Sequence, residues 1–196
     1  MIWHHFESHN SYFKFDRLLK IYTKTGDDGN TGLQGNYRIS KSHPRIISYG
    51  TVDEANAALG IVLSNSLDGD INAVLTEIQN DLFLVGADLS NPNLNDLKNR
   101  VSLEMIKKLE QYIDKFELEL PPLTNFILPG GDPSAAQLHH VRTVVRRAES
   151  QTVLLSEKDE INSNCIKYLN RLSDLFFVMG RLMNKRKNIE DIPWKI

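Results

Sequence analysis

Beyond residue 44 the apolar positions recur three and four apart, a period that predicts helices, and five such stretches can be laid out along the chain. Pro44 suits a first helical turn, and that helix runs to about Leu63. Asp70 is placed as the cap of a second helix, whose stripe is Ile71, Val74, Leu75, Ile78, Leu82, Val85 and Leu89. Ser102 caps a third, which carries Ile106, Leu109, Ile113 and Phe116. "LPPLTNFILPGG" then breaks the pattern with three prolines and two glycines, although "FIL" at Phe126 suits a short extended piece. Asp132-Pro133, a cap followed by proline at the first helical position, opens a fourth helix that reaches about Leu155. A fifth runs from about Ile161 to Asn184. In it Cys165, Leu169, Leu172, Phe176, Met179 and Met183 are spaced four, three, four, three and four, the seam of a bundle. No strand series competes, so the predicted fold class is all-α, a five-helix bundle.

Ahead of the bundle, "KIYTKTGDDGNTGLQGNYRISKSH" is rich in Gly, Asp, Asn and Thr and reads as an irregular loop. Residues 1–19 are aromatic and His-rich without clear periodicity, and are set apart as an extension of unknown role before a domain of residues 20–190. Composition narrows the class. The net charge of −2 over 196 residues supplies no global basic field for nucleic acid. The single cysteine, Cys165, excludes an internal disulfide framework and fits a reducing compartment. No apolar run approaches the ~20 residues of a membrane span, and the N-terminus has neither a signal-peptide core nor the arginines of a transit peptide. The expectation is a cytoplasmic protein with no membrane and no nucleic-acid partner.

The fourth helix holds the most charged stretch. Val141, Val144, Val145 and Ala148 form its apolar stripe, continued by Thr152 and Leu155, with Thr152 the one polar member. Arg142, Arg146 and Glu149 line a neighbouring stripe, with Arg147 off that line. Spacing alone also describes a solvated face with pairs such as Arg146–Glu149, each contributing only tenths of a kcal/mol. Two arginines one turn apart repel unless an anion lies between them, and the planar guanidinium fork suits a polyphosphate. On the fifth helix Asn170, Asp174 and Arg181 form a polar row beside the seam. On the first, Asp53 and Asn56 lie one turn apart, Gly50 permits close approach of another chain, and Asp53 is the natural partner for an arginine of the fourth helix. "TKTGDDGNTG", Thr23 to Gly32, lacks both the GK[ST] of a Walker A loop and the glutamate of an EF-hand. Its glycines free backbone N–H groups, and with Lys24 and the nearby Lys41 it can form an anion-binding nest. His139 and His140, adjacent on a helix, point different ways and make poor metal ligands, while Cys165 falls on the seam.

"KIYTKTGDDGNTGL", "YGTVDEANAALG", "NFILPGG", "RTVVRRAE" and "CIKYLNRLSDLFF" occur in this order, and together they resemble the PduO-type ATP:corrinoid adenosyltransferases from about Ile21 to Asn184. The resemblance implies a homotrimer with active sites between subunits. The implied reaction transfers the 5′-deoxyadenosyl group of ATP to the cobalt of a reduced corrinoid and releases triphosphate. It places ATP contacts at Thr23, Lys24, Thr25, Gly26, Thr31, Gly32 and Lys41, and at Arg142, Arg146, Arg147, Ala148, Glu149, Ser150 and Asn170. It gives Asp53, Phe126, Arg142, Arg146 and Asn170 the catalytic roles, with Asp53 paired to Arg142 and Phe126 beneath the corrin ring. Mg²⁺ would be held by the ATP phosphates rather than by protein side chains. A reductase and an adenosylcobalamin-dependent enzyme would be partners. Ala55 departs from the family's usual leucine, a change that touches packing. Such a reaction needs no protein nucleophile, because Co(I) supplies the electron pair. The same pocket could also serve a non-catalytic corrinoid chaperone or nucleotide sensor, which would bind ATP without releasing triphosphate.

Overall fold

Among the described residues, three of the five helices start on a residue whose side chain accepts from a first-turn N–H: His43, Ser102 and Asp132. A computed structural model describes residues 21–35 and 37–195, so the 1–19 extension lies outside the described residues. The loop ahead of the bundle is less irregular than its composition predicts. β1 (Asn30–Gly32) and β2 (Arg38–Ser40) pair antiparallel with Thr31 opposite Ile39. Then α1 (Pro44–Leu63) begins on His43, whose Nδ1 accepts from the Arg45 N–H. The second helix, α2 (Gly69–Ser90), starts two residues earlier than expected, with Asp68 rather than Asp70 at the cap position. Asp70 lies inside the first turn, where its two carboxylate oxygens take a bidentate pair from Arg186 at 2.8 and 3.0 Å.

Ser102 caps α3 (Leu103–Glu117) through Met105 N–H, and Asp132 caps α4 (Pro133–Ser156) through Ser134 N–H at 2.9 Å. Between them β3 (Ile127–Leu128) forms from the expected extended piece. The fifth helix, α5 (Asn164–Arg186), starts three residues later than the periodicity suggests. The cause is Asn162, whose amide donates to Asp88 Oδ2 and Val101 O and so keeps the preceding turn out of the helix. Finally β4 (Ile192–Pro193) returns to pair antiparallel with β3.

The apolar stripes meet as the pattern predicts. α4 packs on α1 and α5, α1 on α2, and α3 on α5. The seam residues Cys165, Leu169, Leu172, Phe176 and Met179 are fully buried, as are Leu138, Val145, Ala148 and Leu155 facing them. Truncating such a residue, Phe176 for example, costs roughly 3–5 kcal/mol. Thr152, the polar member of the α4 stripe, is satisfied twice: Ser48 of α1 lies 3.0 Å from its hydroxyl, which also donates to Ala148 O. Asp88 is buried yet satisfied by Arg100, the Val101 N–H and Asn162. Together these pin α4 in the middle of the bundle with one face turned outward.

Candidate functional site

The outward face of α4 carries Arg142, Arg146, Arg147, Glu149 and Ser150, whereas the Ala148 methyl lies in the core and takes no part. Arg142 is half-buried, and its Nε has no hydrogen-bond partner among the described residues. Burial, and then the neighbouring Arg146 charge, hold the Arg142 guanidinium below its usual pKa. Two like charges thus stand side by side, one of them partly stripped of water.

The carboxylate expected to relieve this does not. α1 and α4 run antiparallel, and the register puts Glu54, not Asp53, against the arginine helix. Glu54 Oε1 lies 2.5 Å from Arg147 Nη2. Asp53 is exposed and forms no ion pair with Arg142 among the described residues, so the expected pairing is absent within one chain. Nor does Arg146 pair with Glu149. Glu149 Oε1 instead accepts from the Asn170 amide at 2.9 Å, which brings α5 to the edge of the arginine face. The rest of the predicted α5 row disperses: Asp174 is exposed and accepts from Arg171, while buried Arg181 donates to Asp191 and Pro121 O.

The glycine loop is ordered by its own hydrogen bonds. Asp27 and Gly29 N–H groups donate back to Lys24 O and Gly26 O, and Lys41 N–H donates to Gly29 O at 2.9 Å. Lys24 adopts φ 60°, and the Thr23 and Thr25 hydroxyls are 2.9 Å apart. Gly26 is closely approached: a Cβ there would lie 3.1 Å from Asn30 O and 3.2 Å from Lys41 Nζ. Arg38, which sequence reasoning did not single out, donates to Thr25 O and fixes the loop from β2. Thr31 is buried and Gly32 follows it in β1. Among the described residues no hydrogen bond or ion pair links Thr23–Lys41 to Arg142–Ser150.

Phe126 is 80% exposed, an unusual position for a large aromatic ring. Trp194 packs edge-on against it with centroids 6.4 Å apart, and the Trp194 backbone N–H donates to the Phe126 backbone O. Asn184 holds the glycine turn below, accepting from Asp132 N–H and donating to Gly130 O. A side chain at Gly131, φ 100°, would overlap that amide. Behind the loop a cleft of about 580 Å³ is lined by Pro121, Leu123, Arg181, Lys185 and Asp191. Neither Trp194 nor this cleft carries a sequence signal, because both depend on β4 folding back. Cys165 is buried, with its thiol pushed well up by burial and by Asp88. No group of three His, Cys, Asp or Glu among the described residues is arranged to hold a metal ion.

Residues 21–183 match the family model described as cobalamin adenosyltransferase. The chain belongs to that family. The cobalamin adenosyltransferase match spans the glycine loop and all five helices but stops short of β4 and Trp194. The chain is 45% identical over 184 residues to the corrinoid adenosyltransferase of Mycobacterium tuberculosis (strain ATCC 25618 / H37Rv), covering 91% of this chain and 94% of that one. To the corrinoid adenosyltransferase of Bacillus subtilis (strain 168) it is 43% identical over 183 residues, covering 90% and 93%. A solved variant of the PduO-type ATP:corrinoid adenosyltransferase from Lactobacillus reuteri, complexed with cobalamin and ATP, superposes with a TM-score of 0.85. It is 37% identical, with 90% of this chain and 97% of that chain covered.

Proposed function

We propose that residues 20–190 form the unit that transfers the 5′-deoxyadenosyl group of ATP to the cobalt of a reduced corrinoid. The observation that carries this is the α4 face: the half-buried Arg142 guanidinium stands beside Arg146 with no carboxylate partner in its own chain, and an anion bound there relieves the repulsion. The substrate Co(I) gives its electron pair to C5′ of the ribose. A Co–C bond forms, the C5′–O bond breaks, and triphosphate leaves with those electrons. The protein aligns C5′ with cobalt and receives the charge of the leaving group. Arg142, Arg146, Lys24 and Lys41 take the triphosphate. The loop N–H groups at Gly26 and Gly32 and the hydroxyls of Thr23, Thr25 and Thr31 surround it. Arg147, Glu149, Ser150 and Asn170 orient the nucleoside end. One preorganised donor of this kind is worth roughly 3 kcal/mol, about a hundredfold in rate. Mg²⁺ travels on the phosphates. Phe126 is the apolar wall beneath the corrin that excludes a lower axial ligand.

The active unit is a homotrimer with its sites between subunits. Support comes from the lack, among the described residues, of any hydrogen bond or ion pair between the glycine loop and the arginine face within one chain. Exposed Ile47 and Ile61 on α1, with Val153 and Leu154 on α4, supply apolar surface for assembly. Unpaired Asp53 is then left for Arg142 of a neighbouring copy. No helix among the described residues is long and apolar enough to cross a membrane, and we assign the protein to the cytoplasm, next to a corrinoid reductase and an adenosylcobalamin-dependent enzyme. The test is an anaerobic assay with ATP, Mg²⁺ and chemically reduced cob(I)alamin. An adenosyl-cobalt spectrum with one triphosphate released per Co–C bond is expected. ATP binding with no triphosphate released would leave a chaperone or sensor instead.

A further inference from the structure

The loop that carries Phe126 is stiffened by Pro121, Pro122 and Pro129, but the ring itself is largely exposed within its chain and does little to hold its own position. The hold comes from the last two turns of α5. Arg181 Nη2 donates to Pro121 O at 3.0 Å, at the foot where the loop leaves α3. Lys185 Nζ donates to Glu119 O on the same side. Asn184, one turn beyond Arg181, takes the other foot through Gly130 O and the Asp132 N–H. The Arg181 guanidinium also has a second grip. Its Nε donates to Asp191 Oδ2 at 2.7 Å, three residues ahead of Trp194. From Asp191 the chain enters β4, where Ile192 and Pro193 pair with Leu128 and Ile127. The Trp194 backbone N–H then donates to the Phe126 backbone O at 2.7 Å.

The Arg181 side chain is 6% exposed and that of Asp191 21%. A buried guanidinium is costly unless its charge and its donors are met, and an apolar residue would fill this position without that cost. What arginine adds is direction, because its planar fork holds two acceptors at a fixed separation. Here the two acceptors lie on the two arms that converge on the Phe126–Trp194 contact. We propose that Arg181 is a positioning residue for the corrin wall: one guanidinium fixes Pro121 relative to Asp191 and, through the β3–β4 pairing, sets where the Phe126 ring stands. This rests on the reading of Phe126 as the wall beneath the corrin.

Asp191→Ala opens one arm of the clasp outside the bundle helices, whereas Asp191→Asn keeps an oxygen acceptor for Arg181. Two measurements on the assembled full-length protein read the effect: backbone hydrogen exchange, and turnover from cob(II)alamin beside turnover from pre-reduced cob(I)alamin. In Asp191→Ala the Trp194 amide should exchange faster while the amides of α4 and α5 keep wild-type protection. Turnover from cob(II)alamin should fall about tenfold, the loss of one hydrogen bond to a charged group, with cob(I)alamin turnover near wild type. Asp191→Asn should recover most of both signals. In a Phe126→Ala background Asp191→Ala should cost little more, because the two act through one ring. Wild-type Trp194 protection in Asp191→Ala would overturn the proposal. So would unchanged cob(II)alamin turnover, an equal fall with both substrates, equal losses in Asp191→Ala and Asp191→Asn, or full additivity with Phe126→Ala. If Phe126→Ala slows both substrates equally while Asp191→Ala still frees the Trp194 amide, the clasp stands but the wall reading fails, and the role of Arg181 in turnover fails with it.

Discussion

Half-burial sets Arg142 apart from the exposed Arg146 and Arg147, because a guanidinium with little water around it gains most from a ligand anion. Arg142→Lys keeps the charge and loses the fork. It should cut kcat/KM by about a hundredfold while the circular dichroism spectrum and Tm stay at wild-type values. At Phe126 the prediction separates two substrates. Phe126→Ala should slow turnover that starts from Co(II) far more than turnover of pre-reduced Co(I), measured side by side; equal losses would remove the wall from the account. The arginine pair, the glycine loop and the exposed aromatic ring were all legible as residue types in a linear pattern. Partnerships were not. Asp53 and Glu54 are adjacent, and which of them meets the arginine helix depends on a helix register that no local spacing encodes. For the same reason Asn170 could be expected at the site, but not its bond to Glu149.

At the scale of elements, periodicity located all five helices, because each buries a stripe against a neighbour and the stripe is written in the sequence. It misplaced ends where a distant side chain intervenes. Asp70 looks like a cap but is claimed by Arg186, which also donates to Asp68 and Glu119 and so ties the end of α5 to the start of α2 and the end of α3. Arg186 hydrogen bonding is the main cause that holds the Asp70 carboxyl below its ordinary value. A carboxylate with a lowered folded pKa contributes stability above its unfolded pKa and loses it as pH falls through the folded one. Arg186→Ala should therefore lower Tm at pH 7 by about 2–4 °C, corresponding to on the order of 1 kcal/mol for a partly screened network. The gap to wild type should close as the pH falls below the usual carboxylate range, and a gap that persists unchanged in acid would mean the loss is one of packing rather than charge.

Across the whole molecule, α4 lies packed between α1 and α5, and the two cationic elements of the proposed site are joined by no hydrogen bond or ion pair among the described residues. That separation is what gives the proposed trimer its purpose, and no single-chain pattern could reveal it. The β3–β4 return that brings Trp194 onto Phe126 lies beyond the reach of periodicity as well, since two-residue strands carry no repeat. The central claim is that fixed positive charge on α4 receives the departing polyphosphate while the attack comes from a metal outside the polypeptide. A structure of the assembled protein with bound Mg·ATP tests it most directly. The account predicts the Arg142 and Arg146 guanidiniums within hydrogen-bonding distance of phosphate oxygens, with the Thr23–Lys41 loop of a second copy closing over them. Guanidiniums turned to solvent, with the triphosphate bound elsewhere, would contradict it.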